Sequence, residues 1–146
     1  MLADYQNILV AVDGSENGEK AFLKACRFAK EYDANLVLAH VVDFRTFATV
    51  EHYNQAIIAE IERFGKQLLE DYEKKAKEQG VEKVTTVLEF GSPRQIIPKE
   101  IAKKYDVDLI LTGATGLNAV ERAMLGSVSE AITRNAPCDV LIVRSE

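Results

Sequence analysis

The segment Gly113–Ser127 reads Gly-Ala-Thr-Gly-Leu-Asn-Ala-Val-Glu-Arg-Ala-Met-Leu-Gly-Ser, a composition suited to gripping an anion. Three of the chain's eight glycines fall here, spaced Gly, two residues, Gly, nine residues, Gly-Ser. Glycine lets a backbone approach a ligand closely, and successive N–H groups in such a turn converge on negative charge. A helix beginning at Ser127 would add its unpaired first-turn N–H groups and the positive end of its dipole. The plainer alternative is that Gly113 ends a strand, Gly116 makes a turn and Ser127 caps a helix. Three glycines and a helix start at the carboxyl end of one strand favour the anion cradle. Within it, Glu121 and Arg122 read as solvated loop charges, although Arg122 is within reach of a terminal phosphate.

A second candidate lies at Ala11-Val12-Asp13-Gly14-Ser15, where a strand runs into a turn. An aspartate at that point can accept hydrogen bonds from ribose hydroxyls, or it can cap the following helix. In open α/β sheets ligands lie beyond the strand carboxyl ends, where the strand order reverses. If the first and fourth strands are neighbours, Asp13 and Gly113 flank one crevice.

Other chemistries lack their residues. The only Gly-Lys pair, Gly65-Lys66, is followed by Gln67 inside a predicted helix, so there is no Walker A loop. No Gly-x-Gly-x-x-Gly follows the first strand. His40 and His52 have no evident carboxylate partner or nucleophile and read as structural or solvated. Cys26 and Cys138 are far apart and outside any Cys/His cluster, which suits two reduced, mostly buried thiols better than zinc or a disulfide.

The elements that must carry these loops are legible in the apolar pattern. Ile8–Val12, Leu36–Val42, Val84–Leu88, Leu109–Leu111 and Val140–Val143 are short, β-branched and nearly continuous, as in strands buried on both faces. Ala21, Ala25, Phe28 and Tyr32 mark one helix face. In His52–Gln79 the positions Tyr53, Ile57, Ile61, Phe64, Leu68, Tyr72 and Ala76 recur at helical spacing, and Gly80 supplies the left-handed stop. Ser92, Pro93 and Gln95 predict a helix start, with Pro98 distorting the next turn. Ser127 and Glu130 have capping-box spacing. The order β-α-β-α-β-α-β-loop-α-β predicts an α/β class, a single doubly wound domain with a mostly parallel sheet and helices on both faces.

At 146 residues the chain suits one domain, able to bury about two-thirds of its unfolded surface. Hydrophobic residues at 47% and charged residues at 28% exclude wholesale disorder. A net charge of −5 offers phosphate backbones no basic field, so no nucleic-acid partner is expected. With no basic leader and no apolar run near ~20 residues, no membrane partner is expected and the localisation read is cytoplasmic.

Ile8–Ser15, Gly91-Ser92-Pro93, Asp108–Gly113 and the closing Asn135–Arg144 together resemble the universal stress protein family. The likeness spans nearly the whole chain, and the Gly-2-Gly-9-Gly-Ser spacing resembles that family's ATP-binding branch. The resemblance implies a five-stranded parallel sheet of order 3-2-1-4-5. It implies a site in which Asp13 binds ribose, Ala11 lies beside the nucleoside and the main chain of Val41 meets adenine. Gly113, Ala114, Thr115, Gly116, Leu117, Asn118 and Ala119, with Gly126, Ser127, Val128 and Ser129, would hold ribose and phosphates. ATP or ADP is the implied ligand, with Mg2+ or Mn2+ as companion ion, and a homodimer through Val140–Val143 the implied assembly. The chain departs from many members at Ala114-Thr115, where they carry Ser and then a basic residue or His, so a side-chain charge on the phosphates is missing. A nucleotide-dependent switch is the leading expectation. A weak ATPase or autophosphorylating phosphotransferase is the alternative, though no residue is compelled into the role of base.

Overall fold

The computed structural model describes residues 5–14, 16–43, 55–114 and 126–144. The elements run β1 (Asn7–Ala11), α1 (Glu16–Tyr32), β2 (Asn35–Val42), α2 (Gln55–Glu78) and β3 (Lys83–Phe90). They continue as α3 (Pro93–Ile96), a π-helical turn (Ile97–Ile101), α4 (Ala102–Lys104), β4 (Leu109–Gly113), α5 (Ser127–Asn135) and β5 (Asp139–Val143). The sheet order is β3-β2-β1-β4-β5 and every pairing is parallel, as the resemblance implied.

Burial on both faces explains the unbroken apolar runs. Ile8, Leu9 and Val10 of the central strand are all fully buried, and the period of a strand sends them to opposite sides. Ile8, Val10, Leu36, Leu38 and Leu111 join a core roofed by Phe22, Ala25 and Ala29 of α1 and Leu69, Tyr72 and Ala76 of α2. Leu9, Val37, Ala39 and Ile110 join a second core under Ile96, Ile97, Ile101 and Ile132. Thus α1 and α2 cover one face and α3 to α5 the other. The change of face falls between β1 and β4.

Three helices end alike. The N–H of Val81 donates to Ala76 C=O at 3.1 Å, with Gly80 at φ 100° in the left-handed position. Ala34 N–H to Ala29 C=O and Val107 N–H to Ala102 C=O, both 2.8 Å, close α1 and α4 in the same way. There Asp33 and Asp106, at φ 55° and 51°, take the glycine's place. Each motif is followed by a buried Ala or Val that turns the chain into the sheet.

Pro98 distorts its helix as predicted, and the distortion is a π turn over Ile97–Ile101. A proline has no N–H for the carbonyl four residues back, so the chain widens to accommodate it.

Three details of the helices differ from expectation. The predicted stripe of α2 is buried only in part: Tyr72 and Ala76 are covered, as are Gly65 and Leu69 beside it, whereas Ile57 is 38% and Phe64 70% exposed, and Tyr53 lies outside the described residues. A helix of 24 residues is about 36 Å long and outruns the eight-residue strands beneath it, about 26 Å, so its N-terminal part overhangs the sheet. The N-cap of α5 is Gly126, not Ser127, and no side chain caps it. Ser92 and Pro93 do sit at the N-cap and N1 positions of α3, yet Ser92 makes no side-chain cap bond. Its carbonyl instead accepts from the Gln95 and Ile96 N–H groups at 3.0 and 2.8 Å.

Candidate functional site

A cleft of about 290 Å³ opens at the carboxyl ends of β1, β2 and β4, at the change of face. That is near the lower end of small-ligand sites, which run to about 300–1,000 Å³. Each wall follows from where a strand stops.

On the β1 side, Ala11 is the last paired residue, and Val12 adds one bond from its N–H to Ala39 C=O at 2.8 Å. Asp13 and Gly14 then turn exposed into α1, Gly14 at φ 85°. This turn is braced from α2. The Tyr72 hydroxyl donates to Glu19 Oε1 at 3.3 Å, and Lys75 Nζ donates to Glu19 Oε2 at 3.1 Å. Burial, then the Glu19 carboxylate, pushes the Tyr72 hydroxyl up to about 12, against the lowering influence of the Gly14 N–H.

On the β2 side, the strand continues past the end of β1 to Val42, paired with β3 as far as Val42↔Phe90. Residues of a parallel strand direct both main-chain groups to alternate neighbours. Ala39 turns its carbonyl to β1, and Val42 turns its carbonyl to the Gly91 N–H on the β3 side. Val41 therefore faces the β1 side, where β1 has ended, and its N–H and C=O look into the cleft. Pro93 and Ile97, brought over by the π turn, form the adjoining apolar wall.

On the β4 side, Thr112 and Gly113 are buried at the strand end. The Ser129 hydroxyl donates to Gly113 C=O and lies 3.3 Å from Thr112 Oγ1. Ser129 lines the cleft, but its hydroxyl is spent on holding α5 to β4. Gly126, Ser127 and Val128 complete this wall, and the α5 N-terminus presents N–H groups with no side-chain cap.

Of the residues singled out in the sequence, Ala11, Asp13, Val41, Gly113, Gly126, Ser127, Val128 and Ser129 meet at this one cleft. Ala114 lies just behind it, buried, with its N–H on Val143 C=O at 3.0 Å. Thr115, Gly116, Leu117, Asn118 and Ala119 lie outside the described residues. Sequence reasoning missed Val12, Gly18, Ala39, Pro93, Ile97 and Thr112 as lining, and read His40 as structural or solvated. Pro98 was the one signal for Pro93 and Ile97, since a bent helix displaces the side chains on its first turn.

The chain is a doubly wound α/β domain with a cleft at the switch point of its sheet, the place where open α/β sheets hold their ligands. Residues 4–144 match the universal stress protein family, and the chain belongs to that family. A putative universal stress protein of Staphylococcus epidermidis is 50% identical over 145 residues, covering 99% of this chain and 87% of that one. Among solved structures, the hypothetical protein MJ0577 superposes with a TM-score of 0.86 at 28% identity, covering 99% of both chains. A universal stress protein crystallised in complex with cAMP superposes with a TM-score of 0.73 at 26% identity, covering 99% of this chain and all of that one.

Proposed function

We propose that the cleft binds ATP or ADP and that the domain is a cytoplasmic switch whose nucleotide occupancy governs its association with a partner. The observation that carries this reading is the meeting, at one cleft, of three groups suited to three parts of an adenine nucleotide. The main chain of Val41 offers a donor and an acceptor side by side, matching the edge of adenine, with Pro93 and Ile97 against the ring. Asp13 offers carboxylate oxygens to the ribose hydroxyls. The uncapped N-terminus of α5 offers N–H groups and a dipole to phosphate. The cAMP complex of a relative supports the same class of ligand.

A divalent cation entering with the nucleotide takes its ligands from phosphate oxygens and water. Among the described residues no group of three or more His, Cys, Asp or Glu could hold it alone. The working assembly is a homodimer paired through β5, the edge strand beside β4.

Titration calorimetry on folded protein freed of ligand tests the proposal. Heat with ATP and ADP, saturating at one site per chain, is expected; no heat with ATP, ADP or AMP overturns it. A single-turnover assay with magnesium separates switch from enzyme, and intact bound ATP is the expected result.

A further inference from the structure

The β1–β2 ladder stops one bond early, beside His40. Beyond Ala11↔Ala39, the Val12 N–H donates to Ala39 C=O at 2.8 Å. In a regular parallel pair the next bond would run from Val41 N–H to Val12 C=O, pairing Val12 with His40. That pairing is not formed. The Val12 carbonyl is taken instead by His40 Nδ1 at 2.9 Å. A carbonyl can only accept, so Nδ1 carries the hydrogen.

The ring is held in place by close packing. Gly65 of α2 sits over it, and a Cβ there would lie 3.3 Å from His40 Cδ2 and 2.9 Å from Leu88 Cδ1. A side chain at that point would have to push the Leu88 methyl aside and would crowd the ring.

We infer that His40 is a positioning residue for base recognition: its imidazole occupies the Val12 carbonyl and so keeps the Val41 N–H available to the ligand. This deepens the nucleotide reading above and rests on it. His40 acts through Val41 and touches the base in no step. Without its donor the ladder gains its missing bond, and the cleft loses the group that reads the base.

The test compares the wild type with His40→Leu and His40→Asn, the latter placing an amide donor where Nδ1 stood. Amide hydrogen exchange on the free protein is expected to show Val41 fast in the wild type and in His40→Asn, and protected in His40→Leu. Affinity for ATP is expected to fall about tenfold in His40→Leu and to recover in His40→Asn, the scale of one hydrogen bond to a buried group. Ribose triphosphate, which has no base, is expected to bind all three alike; a merely structural role would weaken both ligands together. A protected Val41 amide in the free wild type, or equal losses for ATP and ribose triphosphate, overturns the inference. If the wild type binds no ATP, the functional reading falls with the ligand half of this one. The exchange measurement then still decides whether His40 holds the ladder open.

Discussion

The Gly126 N–H donates to the Ala114 C=O at 2.7 Å, so the chain leaves β4 and returns to α5 at a single closed point. Both flanks are fastened, Ala114 N–H to Val143 C=O and the Ser129 hydroxyl to Gly113 C=O. Gly126 itself sits at φ −66° and ψ 161°, extended backbone open to any residue. Gly126→Val should therefore leave the fold intact. Its effect comes from bulk at the wall, with nucleotide affinity falling at least tenfold while the circular dichroism spectrum and urea midpoint stay native. Unchanged ATP binding by this variant would place the ligand elsewhere.

Asp13 is exposed at the mouth, where β1 has already ended. Asp13→Ala should weaken ATP by about 1–3 kcal/mol, the range for losing hydrogen bonds to a charged group. The loss should shrink with 2′,3′-dideoxy-ATP, which has no hydroxyls for the carboxylate. Calorimetry with the two nucleotides on both proteins checks this, and equal losses would remove Asp13 from the ribose.

Gly91 turns the chain from β3 towards α3 at φ 144°, and a Cβ there would lie 2.5 Å from Ile96 Cδ1. Strain and contact act together in Gly91→Ala, which should cost about 1–3 kcal/mol. Ile96 is buried against the cleft-side core, so it has little room to yield. Urea unfolding should show a lower midpoint with an unchanged slope. A midpoint equal to the wild type would mean that the turn relaxes at no cost.

The strands were legible because burial on both faces leaves the middles of β1, β2 and β4 almost wholly apolar, whereas their order came from the family resemblance. The carboxyl-end loops were legible for a related reason, since glycine and aspartate mark where a strand must turn. What sequence missed depends on distances between elements. The stripe Ile57, Ile61 and Phe64 has the right period but sits on the part of α2 that passes beyond the sheet, a matter of relative length. The roles of His40 and Gly65 arise from one helix lying close over one strand end, and neither residue's neighbours in sequence announce it. Asp33 and Asp106 ended helices where only glycine had been recognised as a stop.

Alkali should unfold this protein by way of groups in and beside the core under α1 and α2. Burial, then Glu19, pushes the Cys26 thiol up to about 12 from its ordinary 9. The Tyr72 hydroxyl rises to about 12 from 10. In both cases the folded state holds its proton more tightly than the unfolded chain does. The resulting stability is fully present below about pH 9 and is lost as pH rises towards 12. Urea midpoints should be level up to pH 8.5 and fall steeply above pH 9.5, on the order of the linkage slope for two to four protons, because the Tyr5 hydroxyl and the Cys138 thiol are raised as well, to about 12 and about 11. Tyr72→Phe should flatten the upper part of that fall. A midpoint that does not move up to pH 11 would contradict both shifts. In the native protein Cys26 should also resist thiol reagents at pH 8, since the thiolate is the reactive form.

The outer edge of β5 bears on assembly. Among the described residues the strand pairs only with β4, through Leu109↔Asp139 to Gly113↔Val143. Val140, Leu141 and Ile142 are each half-buried, and an apolar edge with open N–H and C=O groups invites another strand. Two such edges related by a twofold axis would run antiparallel and close on themselves, giving a dimer and not a fibre. Asp139 and Arg144 are the charges that could keep the edge single, and Asp139 is already engaged by the Tyr5 hydroxyl at 2.7 Å. The choice of probe follows from packing. Leu141 belongs to the core under α1 and α2 and Val140 to the core on the other face, so changing either would disturb the fold. Ile142 belongs to neither core, and Ile142→Lys would put a charge into the contact with little harm to the monomer. Light scattering at tens of micromolar should give a dimer mass for the wild type and a monomer mass for Ile142→Lys, with equal thermal stability at low concentration. A monomer mass for the wild type, with and without ATP, would exclude β5 as a dimer interface.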